Sequence, residues 1–301
     1  MSMFTNLPRE FFIPPKTEVI FVQDFFAKEL IGGAELTSDA IIKACPHKLF
    51  ELHSQSITEA MIQKHRDKLW VFGNITMVQP YLLDLFRTLD ISYYCVEYDY
   101  KWCVYRSKQL HQMKEGKECD CENKPHGKFY KNYFLAAKQI LFMSELQRKD
   151  CVIACGKAIE ETSTVVSSMW TKDELALLTS LRKAPKKDSW VILSGASWIK
   201  NQQEAERYCK DNQLSYELVG GLPYLDFLKK ISSYKGLVFL PAGDDTCPRI
   251  TVEAKLMGLE LILNDKVLHA TEAWFNRDVP EIEDYLLDGP SRFWRAIEKS
   301  L

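Results

Sequence analysis

Short apolar runs alternate with amphipathic stretches along most of the chain. In the first half, the runs that are typical of buried strands cover 17–22, 48–54, 69–74 and 91–98. Helical patterns cover 32–45 and 80–89. Strands that alternate with helices of about 10–15 residues indicate a parallel sheet with helices on both faces. We therefore predict an α/β domain in the first half.

The second half shows a more regular alternation. Its strand-like runs cover 190–195, 216–221, 236–243 and 259–264. The helical pattern at 171–182 begins with Thr171 and Glu174 in the spacing of a capping box. The predicted fold class is α/β, with two Rossmann-like domains that face each other across a cleft. Such units bind ligands at the carboxyl ends of their strands, and an interdomain cleft is a common substrate site.

Three segments interrupt this alternation. The polar, cysteine-bearing segment 100–128 is aperiodic and predicts a functional or disordered loop, 134–147 is helical or mixed, and 156–167 is a linker. We place an N-terminal domain at 1–160, a C-terminal domain at 161–285, and a last helix at 286–301 that packs across both.

Composition narrows the class of protein. The 301 residues suit two domains, and 46% hydrophobic with 27% charged residues is the composition of a globular protein rather than a disordered or fibrous one. The net charge of -2 leaves no broad basic field, so we expect no nucleic-acid partner.

The chain gives no sign of a membrane or secretory protein. The first 16 residues lack a basic start followed by an apolar run, and no stretch approaches 18 uninterrupted apolar residues. We therefore expect a cytoplasmic protein without a transmembrane segment. Its nine cysteines are then expected to be reduced.

The segment 237–263 carries the clearest chemistry. A buried strand runs into Asp244, Asp245, Thr246 and Cys247, and Pro248 is placed to start a helix with Thr246 or Cys247 at or next to its cap. The free N–H groups of such a helix start suit an anion such as phosphate. Further along the predicted helix, Glu253 shares a face with Arg249 and Met257.

This segment resembles the donor-binding signature of retaining GT-B glycosyltransferases of the large E-x7-E family. Asp245 takes the first acidic position and Glu253 the second, and Ala254, Gly258 and an apolar strand follow. The resemblance implies that Glu253 accepts hydrogen bonds from the donor ribose and that the loop from Asp245 to Cys247 lies near the sugar and diphosphate. The sequence departs from the family by Asp in place of the first Glu.

Three further segments resemble the same family. The strand ending at Gly195 is followed by Lys200, which matches the lysine that neutralises the departing diphosphate, whereas Ala196 and Ser197 stand where an arginine is usual. The loop 32–35 resembles the family's GGAE loop. The segment 97–121 resembles its HDYW…C…C loop, with Tyr98 in place of His.

The resemblance implies a function and a set of site residues. The chain would move a sugar with retention from a nucleotide-diphosphate-sugar, bound by the C-terminal domain, to an unknown glycan or other cell-surface precursor, with no cofactor required. The N-terminal domain would be compact and face the acceptor. The implied catalytic residues are Lys200, Asp245 and Glu253. The implied donor-binding residues are Gly32, Gly33, Gly195, Thr246, Cys247, Pro248 and Arg249.

Other polar residues are candidates on grounds of position. Asp24, His53 and Asp99 follow or end strands of the first half, so they are candidate acceptor contacts. Cys103, Cys119 and Cys121, with His111 or, as the preferred fourth ligand, His126, are candidate ligands of a structural zinc that holds the 100–128 loop. The alternative is a cluster of reduced thiols.

Three other functions compete with transfer. A non-catalytic nucleotide-sugar-binding protein is favoured by Ala196 and by Asp245 in place of Glu. A nicotinamide-dependent enzyme is disfavoured, because no G-x-G-x-x-G follows the first strand. The near-neutral charge gives no support to a DNA-modifying transferase. For Glu253, the alternative is a solvated helix glutamate that pairs with Arg249.

Overall fold

The computed structural model describes residues 12–299, and within them the strands form two parallel sheets. The first sheet has the order β2-β1-β3-β4-β5-β6. Its strands are β1 Val19–Gln23, β2 Leu49–His53, β3 Leu69–Phe72, β4 Tyr93–Glu97, β5 Gln139–Phe142 and β6 Ser163–Val165. In register, Val19 pairs with Leu49 on one side and Leu69 on the other.

The second sheet has the order β10-β9-β7-β8. Its strands are β7 Lys187–Leu193, β8 Tyr216–Val219, β9 Tyr234–Phe239 and β10 Glu260–Leu263. All pairings in this sheet are also parallel. The predicted fold class, α/β with two Rossmann-like units, is therefore confirmed for the described part of the chain.

Helices connect the strands, as parallel sheets require. In the first half they are α1 Gly33–Lys43, α2 Glu59–Lys64, α3 Pro80–Thr88, α4 Lys108–Glu115, α5 Pro125–Ala136 and α6 Glu145–Cys155. In the second half they are α7 Lys172–Leu181, α8 Gln202–Asp211, α9 Tyr224–Ile231, α10 Arg249–Leu256, α11 Val279–Leu287 and α12 Gly289–Glu298. The predicted capping box is present, since the Thr171 hydroxyl accepts from the Glu174 amide at 3.2 Å and Glu174 accepts from the Thr171 amide at 2.7 Å.

The core follows the alternation of side chains along the strands. In the fully buried β1, Ile20 and Val22 pack into one apolar cluster, and Val19 and Phe21 pack into another. The second cluster also contains Val191 of β7, so it continues from the first sheet to the second. Strands that are apolar on both faces are what a parallel sheet covered by helices requires.

The expectation of an aperiodic loop at 100–128 was wrong. This segment contains α4, a 3-10 turn at Cys121–Asn123 and the start of α5. Helix α4 has little apolar patterning, but Ser107 caps its first turn by accepting from the Leu110 amide, and Gly116 ends it at φ 68°. Local capping therefore defines a helix that hydrophobic periodicity does not reveal.

The segments 134–147 and 156–167 had different outcomes, since the first expectation was met and the second was wrong. The segment 134–147 is mixed, as expected, with strand β5 between the end of α5 and the start of α6. The predicted linker 156–167 contains a 3-10 turn and the edge strand β6, which pairs with β5. Strand β6 is a short, polar edge strand, so no apolar run marks it in the sequence. It belongs to the first sheet although it lies beyond residue 160, where the sequence places the domain boundary.

The last helix contacts both halves of the chain. The Trp294 indole of α12 donates to the Ile41 carbonyl of α1 at 2.9 Å, and α12 also packs against α11. Residues 300–301 of the predicted last helix lie outside the described residues, as do residues 1–11, on which most of the expectation about a leader sequence rests. Among residues 12–299, no helix has both the length and the apolar character needed to cross a membrane.

Candidate functional site

A cavity of about 390 Å³ lies between the two halves, at the carboxyl ends of strands from both sheets. The first half contributes the start of α1 and the end of β4, and the second half contributes the loop between β9 and α10. Most of the predicted donor-side residues line this cavity, together with Asp99: Gly32, Gly33, Lys200, Asp245, Thr246, Cys247, Pro248, Arg249 and Glu253. The structure therefore brings together residues that are more than 200 positions apart in the sequence.

Three predicted site residues lie outside the cavity lining: Gly195, Asp24 and His53. Gly195 is exposed, and its amide donates to Gln202 Oε1 at 3.4 Å. A Cβ atom at Gly195 would meet open space, so packing does not require glycine there.

Asp24 is a buried carboxylate that ties loops together. Its oxygens accept from the Thr76 amide at 2.7 Å, the Thr76 hydroxyl at 2.5 Å, the Met77 amide at 3.1 Å and the Ser54 hydroxyl. Only 3% of the residue is exposed. Its hydrogen-bonding capacity is therefore used by the turns after β2 and β3.

His53 is held beside it. The Nδ1 atom contacts the Asp24 carbonyl at 3.2 Å, and Nε2 lies 3.2 Å from Glu29 Oε1. The ring packs edge-on against Phe26, with centroids 5.0 Å apart. His53 therefore stabilises the end of β2, away from the cavity.

Glu253 is the most completely held carboxylate of the cavity. Its Oε1 atom accepts from the Tyr224 hydroxyl at 2.7 Å, from Arg249 Nε at 3.3 Å and from Trp170 Nε1 at 3.4 Å. Only 2% of the residue is exposed. The idea of a solvated surface glutamate is thus wrong, although its pairing with Arg249 is present.

Arg249 is buried and bound to protein groups. Besides Glu253, its guanidinium donates to Glu174 Oε1 at 2.6 Å and to the Met169 carbonyl, and it stacks on the Trp170 ring at 4.4 Å. Glu174 belongs to the capping box of α7, so this arginine joins α7 to α10. Its charge is balanced by Glu174 and Glu253 before any ligand binds.

Asp245 and Lys200 form a looser pair. Lys200 Nζ lies 3.8 Å from Asp245 Oδ2, and burial raises the pKa of the Asp245 carboxyl, an effect that the lysine opposes. Lys200 lies in a 3-10 turn, Trp198–Lys200, after β7, and about one third of its side chain is exposed. This pair is weaker than the hydrogen-bonded contacts of Glu253.

The loop between β9 and α10 is attached to the first half of the chain. The Thr246 hydroxyl donates to the Tyr98 carbonyl at 2.7 Å, and the Ser168 hydroxyl donates to the Cys247 carbonyl at 2.7 Å. Burial raises the pKa of the Cys247 thiol to about 12, so this cysteine remains protonated and unreactive.

Helix α10 points its first turn into the cavity. The structure corrects the expected position of Pro248, which is the N-cap residue rather than the first helical residue, and α10 begins at Arg249. No side chain of the described residues caps this end. The Thr251 amide donates to the Pro248 carbonyl at 3.2 Å, so the amides of Arg249 and Ile250 are the ones in this turn that are available to an anion.

Gly32 and Gly33 differ in whether a side chain would fit at their positions. A Cβ atom at Gly32, the N-cap of α1, would lie 2.3 Å from Glu35 Oε2, whereas one at Gly33 would meet nothing within 4 Å.

On the same side of the cavity, the Tyr98 hydroxyl lies 2.6 Å from Ser38 Oγ. Asp99 pairs with Arg106 Nε at 2.7 Å.

Sequence reasoning missed the residues that orient Glu253. Neither Tyr224 nor Trp170 is among the predicted site residues, yet both donate to Glu253 Oε1. The sequence signal for Tyr224 is a tyrosine in the first turn of a helix, since a buried tyrosine usually donates its hydroxyl to a partner.

A second group of candidate ligands lies in the segment that precedes α5. The side chains of Cys103, His111, Cys119 and Cys121 place their ligand atoms within 4.8 Å of one another. The choice of His126 as the fourth group was wrong, because its Nε2 atom contacts the Lys101 carbonyl at 2.9 Å. His111 occupies that place instead.

Comparisons with known proteins show which solved structures share the fold of this chain. No protein-family model and no curated protein matches it. HepE (Alr3699) from Anabaena in complex with UDP matches with a TM-score of 0.55 and 11% identity, over 90% of this chain and 89% of that chain. UDP-N-acetylglucosamine 2-epimerase from Rickettsia bellii matches at 0.51 and 10%, over 94% and 96%. The chain has the GT-B fold.

The trehalose-6-phosphate synthase OtsA also matches, with a TM-score of 0.50 and 10% identity over 94% of this chain and 96% of that chain. At such identities the similarity establishes the fold and no more. It confirms the resemblance in architecture that the segment 237–263 implies, and it leaves the roles of individual residues to be argued from the cavity.

Proposed function

We propose that this protein transfers a sugar from a nucleotide-diphosphate donor, which binds in the cavity between the two halves. The observation that carries the proposal is the meeting of Lys200, Asp245, Glu253 and the free start of α10 around one cavity, in a GT-B fold. In α/β folds of this kind, ligands bind at the carboxyl ends of the strands, where this cavity lies.

We assign Glu253 to the donor ribose. Tyr224, Arg249 and Trp170 hold its Oε1 atom, which fixes the orientation of the carboxylate before the donor binds. A carboxylate held this firmly is a preorganised acceptor for ribose hydroxyls. Arg249 is then a positioning residue, because its guanidinium already contacts Glu174 and the Met169 carbonyl.

We assign the diphosphate to Lys200 and the first turn of α10. A departing nucleotide diphosphate carries negative charge, and oriented N–H groups with a nearby cation stabilise it in a closed site. Because Ala196 and Ser197 replace the usual arginine, Lys200 supplies the mobile cation. Burial raises the pKa of Asp245, which lessens the repulsion between this carboxyl and an incoming phosphate.

The acceptor would approach from the first half of the chain. Of the three candidate acceptor contacts, Asp99 lines the cavity, whereas Asp24 and His53 hold loops outside it. The E-x7-E resemblance further implies transfer of a hexose with retention and without a required metal ion.

A non-catalytic nucleotide-sugar-binding protein is the second candidate. It is favoured by the missing arginine and by Asp245 in place of Glu. Both candidate functions predict that a nucleotide binds in the cavity, but only the transferase is expected to release the sugar from its donor.

Thermal unfolding with a panel of UDP, GDP, ADP and their sugar conjugates tests the proposal. UDP is the first ligand to test, because HepE, which shares the fold, binds it. A ligand at about 100 times its Kd should stabilise the chain by roughly 2.7 kcal/mol. We expect one nucleotide family to raise the melting temperature of the wild type and to lose this effect in Glu253→Gln and Lys200→Ala.

Matched controls change the same residue types elsewhere. Glu260→Gln and Lys235→Ala alter exposed side chains of β10 and β9 and should keep the full response to the nucleotide. Release of sugar from the donor then separates the enzyme from the binding protein. A wild type that responds to no nucleotide would overturn both candidates.

A further inference from the structure

Three thiols and one imidazole converge outside the cavity, in a part of the chain to which the proposed function assigns no chemistry. His111 Nδ1 lies 3.3 Å from Cys121 Sγ and 3.9 Å from Cys103 Sγ, and the sulfur atoms of Cys103 and Cys119 are 3.5 Å apart. Three of the four residues are buried, and Cys119 is half-buried. Such a group is either a cluster of reduced thiols or a metal site.

The spacing of the four ligand atoms favours the metal site. In a tetrahedral zinc site with Zn–S bonds of about 2.3 Å, neighbouring sulfur atoms lie about 3.8 Å apart. The sulfur atoms of Cys103 and Cys119 are 3.5 Å apart, and no two of the four ligand atoms are more than 4.8 Å apart, so the group matches this spacing to within about 1 Å. Four ligand atoms this close together can enclose a single ion.

We propose that Cys103, His111, Cys119 and Cys121 bind one Zn²⁺ ion as a structural site. Thiolate and imidazole together are typical ligands of zinc, and four protein ligands leave no open position for a substrate. On binding, the three thiols release their protons to solvent and His111 binds as neutral imidazole. The three thiolates then carry three negative charges and the Zn²⁺ ion two positive charges, so the complex has one net negative charge.

The local structure supports two of the four ligands, His111 and Cys121. His111 lies in α4, which Ser107 caps, and its ring packs edge-on against Tyr105, with centroids 5.5 Å apart. Cys121 lies in the 3-10 turn that backs onto α5, where a Cβ at Gly127 would come within 2.0 Å of the Cys121 carbonyl oxygen. Glycine at this position allows the turn to approach α5 closely.

The zinc would also fix a contact between the two halves of the chain. The first turn of α4 reaches Asp244, since Lys108 Nζ lies 3.6 Å from Asp244 Oδ2 and the Asp244 amide donates to Gln109 Oε1 at 3.3 Å. Lys108 also pairs with Asp150 of α6 at 2.5 Å. The ion therefore anchors a helix that touches the residue next to Asp245. The zinc site itself does not depend on the proposed sugar transfer.

Metal content of the purified protein is the first test. We expect one zinc per chain by plasma mass spectrometry, with a loss of at least tenfold in Cys119→Ser and His111→Gln. The controls Cys45→Ser and His126→Gln change a cysteine and a histidine outside the group and should retain the metal. Full zinc in Cys119→Ser, loss in His126→Gln but not His111→Gln, or iron in place of zinc would overturn the assignment.

A second measurement on the wild type avoids variants that fail to fold. Removal of the metal with a chelator and titration with Co²⁺ should produce thiolate-to-cobalt charge-transfer bands that saturate at one equivalent and disappear when Zn²⁺ is added. We also expect the chelated protein to unfold at a lower temperature. Absence of these bands, or a Cys103–Cys119 disulfide in the purified chain by mass spectrometry, would contradict the proposal. Neither result bears on nucleotide binding, so this proposal can fail while the proposed function holds.

Discussion

Asp24 and Asp245 occupy similar places in the two halves, because each follows a central strand of a parallel sheet. Asp24 follows β1, and four donors from other segments satisfy its carboxylate. Asp245 follows β9, lines the cavity, and has Lys200 at 3.8 Å as its charged partner. The same residue type after a strand of each sheet holds loops together in one half and faces the cavity in the other.

The difference shows that position at a strand end does not by itself make a functional carboxylate. A carboxylate whose oxygens accept from protein amides and hydroxyls stabilises the loops that supply them. A carboxyl that burial leaves poorly solvated and weakly paired has a raised pKa, as the Asp245 carboxyl does. We propose that a ligand supplies the partners that Asp245 lacks. The comparison can be tested by removing each carboxylate.

The largest expected effect comes from Asp24→Ala. This change leaves the amides of Thr76 and Met77 and two hydroxyls without their acceptor in a buried place. We expect the free energy of unfolding to fall by roughly 3 kcal/mol or more. Urea unfolding at neutral pH measures it. Asp84→Ala removes an exposed carboxylate that pairs with Arg87 and should cost less than about 0.5 kcal/mol. Equal losses in the two variants would contradict the structural role of Asp24.

For Asp245→Asn we expect the free energy of unfolding to rise rather than fall. Because burial raises the native pKa of this carboxyl, the native state holds its proton more tightly than the unfolded state does. The stability this contributes is present at low pH and is lost as the pH rises through the native pKa. Asparagine does not ionise, so the variant should be more stable than the wild type at neutral pH.

A pH series of melting temperatures checks this prediction for Asp245. The advantage of Asp245→Asn should shrink as the pH falls towards the unfolded pKa of the aspartate, about 3.9. A variant that melts below the wild type at neutral pH would show that the carboxylate has partners that stabilise its charge.

The smallest expected effect comes from Lys200→Ala. Its pair with Asp245 is long and partly exposed, so we expect a loss of about 0.5 kcal/mol in the free energy of unfolding at neutral pH. The lysine lowers the pKa of Asp245, so its removal should make the loss of stability with rising pH steeper. In the Asp245→Asn background the lysine should have no further effect on this slope. A slope unchanged by Lys200→Ala in the otherwise wild-type chain would show that the two groups do not interact.

The strands were predictable because continuous apolar runs mark strands buried on both faces, and β1 and β9 are such strands. The elements missed include α4 and β6, whose sequences are short and mostly polar. Their stability comes from a serine cap in one case and from pairing with β5 in the other. Neither source is visible in a hydrophobic pattern.

The candidate site was predictable to a similar degree. Lys200 and Asp245 meet because they follow the neighbouring strands β7 and β9, and Glu253 joins them from α10, the helix that follows β9. That Arg249 joins α10 to α7 was not predictable, because its partner Glu174 lies 75 positions away in the sequence. The spacing of Glu174 from Thr171 indicates only a helix cap. His111 and His126 were equally placed in the sequence, and only the packing of α4 distinguishes them.

By itself, the sequence determined the α/β class, the two units and the strand ends at which polar residues gather, because hydrophobic period and chain order are local properties. The tertiary structure alone decided which of these polar residues hold the fold and which face the cavity. The reason is physical: the state of a buried carboxylate, thiol or guanidinium depends on partners from distant segments, as Asp24, Asp245 and Arg249 show.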